Sequence, residues 1–262
     1  MQNAEKLNTV LEVEGLNIFY RDFQAVKGVG FHVEKGEIFG LLGPNGAGKT
    51  SSLSAIEGLL TARSGLVRVA GYDIRTNPLH ARANMGIQLQ STSFQPELQV
   101  GEIIQLYAVL YGLDFSKSQV NEKLEELNLS DSVNKKYGQL SGGQQQRLSL
   151  YIATMHQPVL VILDEPTSGL DPQSRRQLWD RLDEMKSKGH SILLTTHSME
   201  EAEAVCDRIT IIDHGKIIET GTPQSLIEKY SNNPEVINAS RRGKITLEDV
   251  FIGLTGKAVR AQ

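Results

Sequence analysis

The chain has 262 residues, 39% of them hydrophobic and 22% charged, enough to bury a full core. Its 27 basic and 31 acidic residues leave a net charge of −4, which makes no general electrostatic bid for nucleic acid. No apolar run approaches the roughly 18 residues that span a bilayer, the first residues Met1-Gln2-Asn3-Ala4-Glu5-Lys6 lack a signal-peptide pattern, and the lone cysteine, Cys206, excludes an internal disulfide framework and fits a reducing cytoplasm.

In chain order, residues 8–40 and 65–75 carry short alternating runs such as Gly65-Leu66-Val67-Arg68-Val69-Ala70-Gly71, which predict a small antiparallel sheet. Ile18-Phe19-Tyr20-Arg21 sets two aromatics side by side; taken alone, each reads as a packed strand residue. The apolar run Ile38-Phe39-Gly40-Leu41-Leu42 leads into Gly43-Pro44-Asn45-Gly46-Ala47-Gly48-Lys49-Thr50, and the stretch from Ser51 to Glu57 suits a helix. Strand, glycine loop and helix together make a phosphate-binding loop. Glycines at 43, 46 and 48 remove β-carbons that would hold phosphate oxygens away from the backbone amides, and the helix aims its positive end at the same charge. Lys49 reaches the outer phosphates and Thr50 offers its hydroxyl to magnesium. A chance glycine turn does not account for every fixed position and both flanks.

Gly86-Ile87-Gln88-Leu89-Gln90 precedes a loop, Ser91 to Leu98, in which Phe94 and Leu98 are apolar with no obvious core to enter. Residues 92–157 are helix-rich, with apolar residues at helical spacing over Val100 to Tyr111 and Val120 to Leu129. Leu140-Ser141-Gly142-Gly143-Gln144 then opens a helix that runs to about His156 and stops before Pro158. Ser141 is a strong N-cap and two bare glycines leave the first-turn amides uncovered, which suits a phosphate oxygen; an ordinary capped helix accounts for the segment equally well by itself.

Val159-Leu160-Val161-Ile162-Leu163 reads as a parallel strand covered on both faces, with Asp164 and Glu165 at its C-terminal end, where ligands of open α/β sheets sit. Asp164 is placed to hold magnesium through water and Glu165 to polarise an attacking water beside a γ-phosphate; the competing reading has both acids capping the turn before Pro166. Ser191-Ile192-Leu193-Leu194-Thr195-Thr196 is a further short strand, putting His197 on the same sheet edge. A neutral imidazole there hydrogen-bonds the γ-phosphate and keeps Glu165 and water in line, against the alternative of a satisfied structural histidine. Ile209 to Ile212 and Lys216 to Glu219 form a hairpin about Asp213-His214-Gly215. Beyond Gly221, Thr222-Pro223 starts a capped helix, Ser231 to Pro234 is a loop, and Arg241, Arg242 and Lys244 read as a solvated basic linker.

The ordered set Gly43 to Thr50, Leu140 to Gln144, Asp164-Glu165, Ser168-Gly169-Leu170-Asp171 and Thr195-Thr196-His197 resembles the nucleotide-binding subunit of an ATP-binding-cassette transporter. The resemblance covers nearly the whole chain. It implies an α/β fold with a P-loop NTPase (RecA-like) core, an antiparallel β subdomain and a helical signature subdomain. The ATPase domain would span 8–221, with the helical part about 92–157 inserted in it, and 222–262 would be a C-terminal helical extension. It also implies ATP and Mg2+ as cofactors, and a head-to-tail dimer with a second ATPase subunit, homodimer or heterodimer, in which Ser141, Gly142, Gly143 and Gln144 contact the γ-phosphate held by the opposite subunit. Asp171 belongs to the segment that crosses that interface.

Residue by residue, Tyr20 matches the aromatic that stacks on adenine, with Phe19 as its core-facing neighbour. Gln90, chosen over Gln88 by its distance from Gly86, matches the glutamine that touches metal and water, beside Thr50 and Asp164 on the metal. Lys49, Glu165 and His197 complete the catalytic set. Leu247-Glu248-Asp249-Val250-Phe251 with Leu254-Thr255-Gly256 resembles the C-terminal ending of the branch that exports drugs, antibiotics and lipids. The chain then powers export through a separate transmembrane permease, peripheral on the inner face of the cell membrane, and binds no nucleic acid; an importer ATPase, or a soluble cassette on ribosome or DNA, is the alternative. Tyr151-Ile152 replaces an Ala-Arg pair common on the signature helix, which removes the arginine's supporting contacts and predicts a less rigid helix.

Overall fold

The computed structural model describes residues 8–88, 94–240 and 243–256. Two sheets carry the fold. The first sheet consists of β1 (Thr9–Tyr20), β2 (Phe23–Glu34), β4 (Ser64–Val69) and β5 (Tyr72–Asp73), paired antiparallel in the order β2-β1-β4-β5. The second sheet runs β10-β9-β3-β8-β7-β6, from β3 (Ile38–Leu42), β6 (Met85–Gln88), β7 (Leu160–Asp164), β8 (Ser191–Thr196), β9 (Arg208–Asp213) and β10 (Lys216–Gly221). All its pairs are parallel except β9 with β10. β3, β7 and β8 are buried at every position, which is why their sequences are unbroken apolar runs rather than alternations.

Helix α1 (Lys49–Ile56) follows β3, α2 (Pro78–Ala83) precedes β6, and α3 (Val100–Leu110), α4 (Lys117–Glu126) and α5 (Gly142–Thr154) form the helical layer between β6 and β7. α6 (Pro172–Ser187) links β7 to β8, and α7 (Met199–Val205) links β8 to β9. α8 (Pro223–Tyr230), α9 (Pro234–Ala239) and α10 (Leu247–Thr255) close the chain. Three apolar clusters result. One lies between the two sheets, one between the parallel sheet and α6, α7 and α10, and one holds the helical layer together. The single thiol, Cys206, is buried and free in the second cluster.

The two sheets are joined at the end remote from the glycine loop by Arg208, whose guanidinium contacts Glu37 at 2.9 and 3.1 Å, donates to His32 O at 2.8 Å, and lies 5.1 Å above the Phe39 ring. At the opposite end the β9–β10 turn has positive φ at both His214 (47°) and Gly215 (77°), the type I′ form that suits the strand twist. Gly215 accepts from Lys27 N at 2.8 Å and donates to Ala47 O at 2.9 Å, so the hairpin backs the glycine loop.

In the signature helix α5, Ile152 is 4% exposed within the helical-layer cluster and Tyr151 packs against the same cluster, so the stretch that lacks the arginine is held by apolar burial. Phe94 also finds a core. Its ring meets Tyr107 and Tyr137 edge-on at 5.3 and 5.2 Å. The C-terminal helices dock on the parallel-sheet side: Leu247 and Phe251 have no exposed surface, and Leu247 N donates to Glu203 Oε1 of α7 at 2.9 Å.

Candidate functional site

The C-terminal ends of β3, β8 and β7 align, with Leu42 opposite Thr196 and Thr195 opposite Asp164. Parallel register therefore places the three following residues, Gly43, His197 and Glu165, along one sheet edge. Gly43 N donates to Thr196 O at 3.2 Å and Glu165 N to Thr195 O at 3.1 Å, which extends the ladder into the site.

The loop from Gly43 to Gly48 wraps into α1, whose N-cap Gly48 stands at φ 105° in the left-handed region. A β-carbon on Gly48 would lie 2.8 Å from Ala25 O, and one on Gly43 would lie 2.3 Å from Ile212 O. At these two positions neighbouring backbone on β2 and β9 also requires glycine, a second constraint beside the approach of phosphate to the loop amides. Gly46 faces open space at φ 80°. Pro44 and Asn45 form the rim, Ala47 is 2% exposed beneath it, and Thr50 and Ser51 begin the helix. Tyr20, at the β1–β2 turn and 49% exposed, donates its hydroxyl to Ser51 Oγ at 3.3 Å, which puts the aromatic ring beside the loop.

Lys49 is buried and turned inward. Its Nζ donates to Gly43 O at 2.8 Å and Pro44 O at 3.3 Å and lies 3.4 Å from Glu165 Oε1. Burial lowers the Lys49 pKa, and the Glu165 and Asp164 carboxylates oppose that shift. Glu165 adopts φ 47°, an uncommon conformation for a side-chain-bearing residue, and its amide also donates to Thr195 Oγ1 at 3.1 Å. His197 Nδ1 approaches Glu165 Oε2 to 3.3 Å without the alignment of a hydrogen bond. The structure thus brings Lys49, Glu165 and His197 together. Gln90 lies outside the described residues.

Asp164 accepts from Thr195 Oγ1 at 2.5 Å and is 8% exposed. Its carboxylate and the exposed Thr50 hydroxyl are hard oxygen donors, the kind magnesium takes when phosphates and waters fill the rest of its octahedron. Among the described residues no cluster of three or more His, Cys, Asp or Glu side chains suits a metal held by protein alone.

The second glycine segment is built as a capped helix start. Ser141 Oγ accepts from Gln144 N at 3.3 Å and Gln144 Oε1 accepts from Ser141 N at 2.9 Å, while nothing lies within 4 Å of a β-carbon placed on Gly142. Gly143 adjoins Ser174, whose hydroxyl donates to Asp171 Oδ2 at 2.6 Å. Asp171 caps α6 through Gln173 N and Ser174 N, and the Ser174 hydroxyl bond holds its pKa below the usual carboxylate range. Gln146 Nε2 reaches across to Pro166 O at 2.8 Å, tying α5 to the turn after Glu165. Among the described residues no hydrogen bond or ion pair joins Ser141–Gln144 to Gly43–Thr50 of the same chain.

Sequence reasoning missed two residues here. Thr195 orders both acids at once, and the signal was a hydroxyl at the end of an apolar strand. Glu57 is 3% exposed at the end of α1, and burial, with Asp164 nearby, pushes its pKa up to about 7. A lone carboxylate inside an apolar helix face was its signal.

The chain is similar to known proteins in both sequence and fold. The sequence pattern of the ABC transporter family matches residues 26–168. A Nod factor export ATP-binding protein I of Burkholderia thailandensis is 35% identical, over 92% of this chain and 95% of its own length. A linearmycin resistance ATP-binding protein of Bacillus subtilis is 39% identical over 86% of this chain and 73% of its own. Among solved structures, an ATP-binding subunit of an ABC transporter superposes with a TM-score of 0.80 at 30% identity, covering 94% of this chain and all of that one. An ATP-binding cassette in its ADP conformation superposes with a TM-score of 0.73 at 28% identity, over 88% of this chain and 97% of its own.

Proposed function

The chain belongs to the ABC transporter family, whose cassettes bind and hydrolyse ATP, and from that premise we propose that it powers export of a drug, antibiotic or lipid-like molecule through a separate membrane subunit. The observation that carries the chemistry is the convergence of Lys49 and His197 on Glu165 at one sheet edge, at 3.4 and 3.3 Å. Lys49 and the loop amides bind the outer phosphates, and Tyr20 takes adenine. Glu165 accepts the proton of the attacking water, held in line by His197. Thr50 and Asp164, with Gln90, would hold a magnesium ion, which would supply neutralisation of phosphate charge. Ser141 to Gln144 supply the γ-phosphate contacts of the opposite subunit, and Asp171 lies in that interface.

Export is favoured by relatives named for Nod factor export and for linearmycin resistance, each aligned over more than four-fifths of this chain. No helix among the described residues is long and apolar enough to cross a membrane. We place the partner's docking face on α3, where Val109 and Leu110 are 70% and 67% exposed. The chain works from the inner face of the membrane, as an ATPase domain over 8–221 followed by the 222–262 extension.

Inside-out vesicles containing the chain and its membrane subunit test the direction. With linearmycin as probe, ATP should drive accumulation into the vesicles, and Glu165→Gln should abolish it. ATP-dependent loss of preloaded probe from the same vesicles would contradict export.

A further inference from the structure

Glu201 is the least accessible carboxylate among the described residues, with 0% of its surface exposed. It sits in the first turn of α7, where Ser198 caps its amide at 3.3 Å, among residues that otherwise bury apolar surface: Met199, Ala202 and Val205. The Thr196 and Thr167 hydroxyls, the Trp179 indole and the Arg175 guanidinium lie close enough to its carboxylate to stabilise its charged form. None of these contacts closes into a well-aligned hydrogen bond: both Glu201 oxygens, Trp179 Nε1 and Arg175 Nε are buried without one. Burial pushes the Glu201 pKa up, while the surrounding donors pull it back.

A buried carboxylate with incomplete hydrogen bonding costs stability, and an apolar residue of similar size would serve packing better. Its neighbours come from three separate segments. Thr196 directly precedes His197, and its hydroxyl also accepts from Ser198 N at 2.9 Å, which fixes the turn after the histidine. Thr167 stands two residues after Glu165, in the turn that leads to Asp171. Trp179 and Arg175 lie on α6, the helix that Asp171 caps. Glu201 is therefore the point where the supports of His197, Glu165 and Asp171 meet.

We propose that Glu201 is a positioning residue for ATP hydrolysis: its buried carboxylate ties the His197 strand end, the turn after Glu165 and the Asp171-capped helix into one unit that moves together when nucleotide binds. The inference rests on the ATPase reading above. Glu201 acts through Thr196, Thr167 and Trp179 and not on the nucleotide. Glutamine keeps the shape but offers one acceptor oxygen and points an amide at neighbours that are themselves donors. Trp179 is the chain's only tryptophan, so its emission reports on this joint directly.

Wild type, Glu201→Gln and Thr167→Val should be compared for fold, ATP affinity, turnover and the change in Trp179 emission on adding ATP and magnesium. Glu201→Gln should keep ATP affinity within about three-fold, lose about ten-fold or more in kcat, and lose the ATP-induced emission change. Thr167→Val, a milder cut at the same joint, should lower kcat about three-fold with affinity unchanged. A folded Glu201→Gln with wild-type kcat and emission response overturns the inference, as does a parallel loss of affinity and stability with the emission response retained. If Glu201→Gln does not fold, wild-type turnover by Thr167→Val overturns it. A wild-type chain that fails to hydrolyse ATP would instead overturn the ATPase reading, and the positioning role with it.

Discussion

Lys49 Nζ lies 3.4 Å from Glu165 Oε1, and only 4% and 13% of the two side chains are exposed. The cation is held by its own loop, through Gly43 O and Pro44 O, and by the carboxylate that would activate water. Phosphate is the natural replacement for that carboxylate, since it offers Lys49 more charge at the mouth of the same loop. Binding would then release Glu165 towards water and His197.

Lys49→Ala should accordingly lower ATP affinity by about 100-fold, the loss expected when a charged partner leaves a phosphate cradle. Titration of a fluorescent ATP analogue measures it. Affinity within three-fold of wild type would remove Lys49 from the phosphate site.

Glu57 sets a pH dependence on folding. Its folded pKa, about 7, is raised above the ordinary carboxylate range. At low pH both states are protonated and the group is neutral to stability. As pH rises, the unfolded chain loses its proton first, so stability falls between the ordinary carboxylate range and about pH 7, and the loss then stays constant. Glu57→Gln should therefore stabilise the protein at pH 8 relative to pH 5, by up to about 3 kcal/mol in urea melts. An equal effect of the substitution at both pH values would show that Glu57 ionises freely in the fold.

Ser141→Arg places a bulky cation where the α5 amides open outward and removes an N-cap worth about 1 kcal/mol. ATP affinity of the single subunit should stay near wild type, because that segment makes no bond to the phosphate loop of its own chain. Hydrolysis should fall by about 100-fold, as closure on the opposite subunit is blocked. Steady-state turnover beside ATP binding separates the two, and normal turnover in this variant would argue against a shared site.

The parallel core was legible because its strands are buried on both faces and so spell themselves as apolar runs ending in Asp164, Thr196 or the glycine loop. The Asp213-His214-Gly215 turn was legible for a local reason: a type I′ turn needs two positive φ values, and glycine supplies one. Contacts between distant segments were not. Nothing local reveals that Gly43 is required by Ile212 O, or that Phe94 meets Tyr137. The loss of an arginine from α5 is visible in sequence, whereas the fit of Ile152 into the apolar helical layer is not. Thr195, Glu57 and Glu201 share that difficulty: each is a buried polar residue whose partners lie in distant segments and are visible only once the sheet edge is assembled.

Glu165→Gln tests the central claim most directly, because it removes the base while leaving Lys49, the loop amides and the Ser141 segment in place. Size-exclusion chromatography with ATP and magnesium, run beside a turnover assay, should show a variant that binds ATP, hydrolyses almost none, and accumulates as a dimer. Unimpaired turnover by Glu165→Gln would contradict the assignment of Glu165 as the group that activates water.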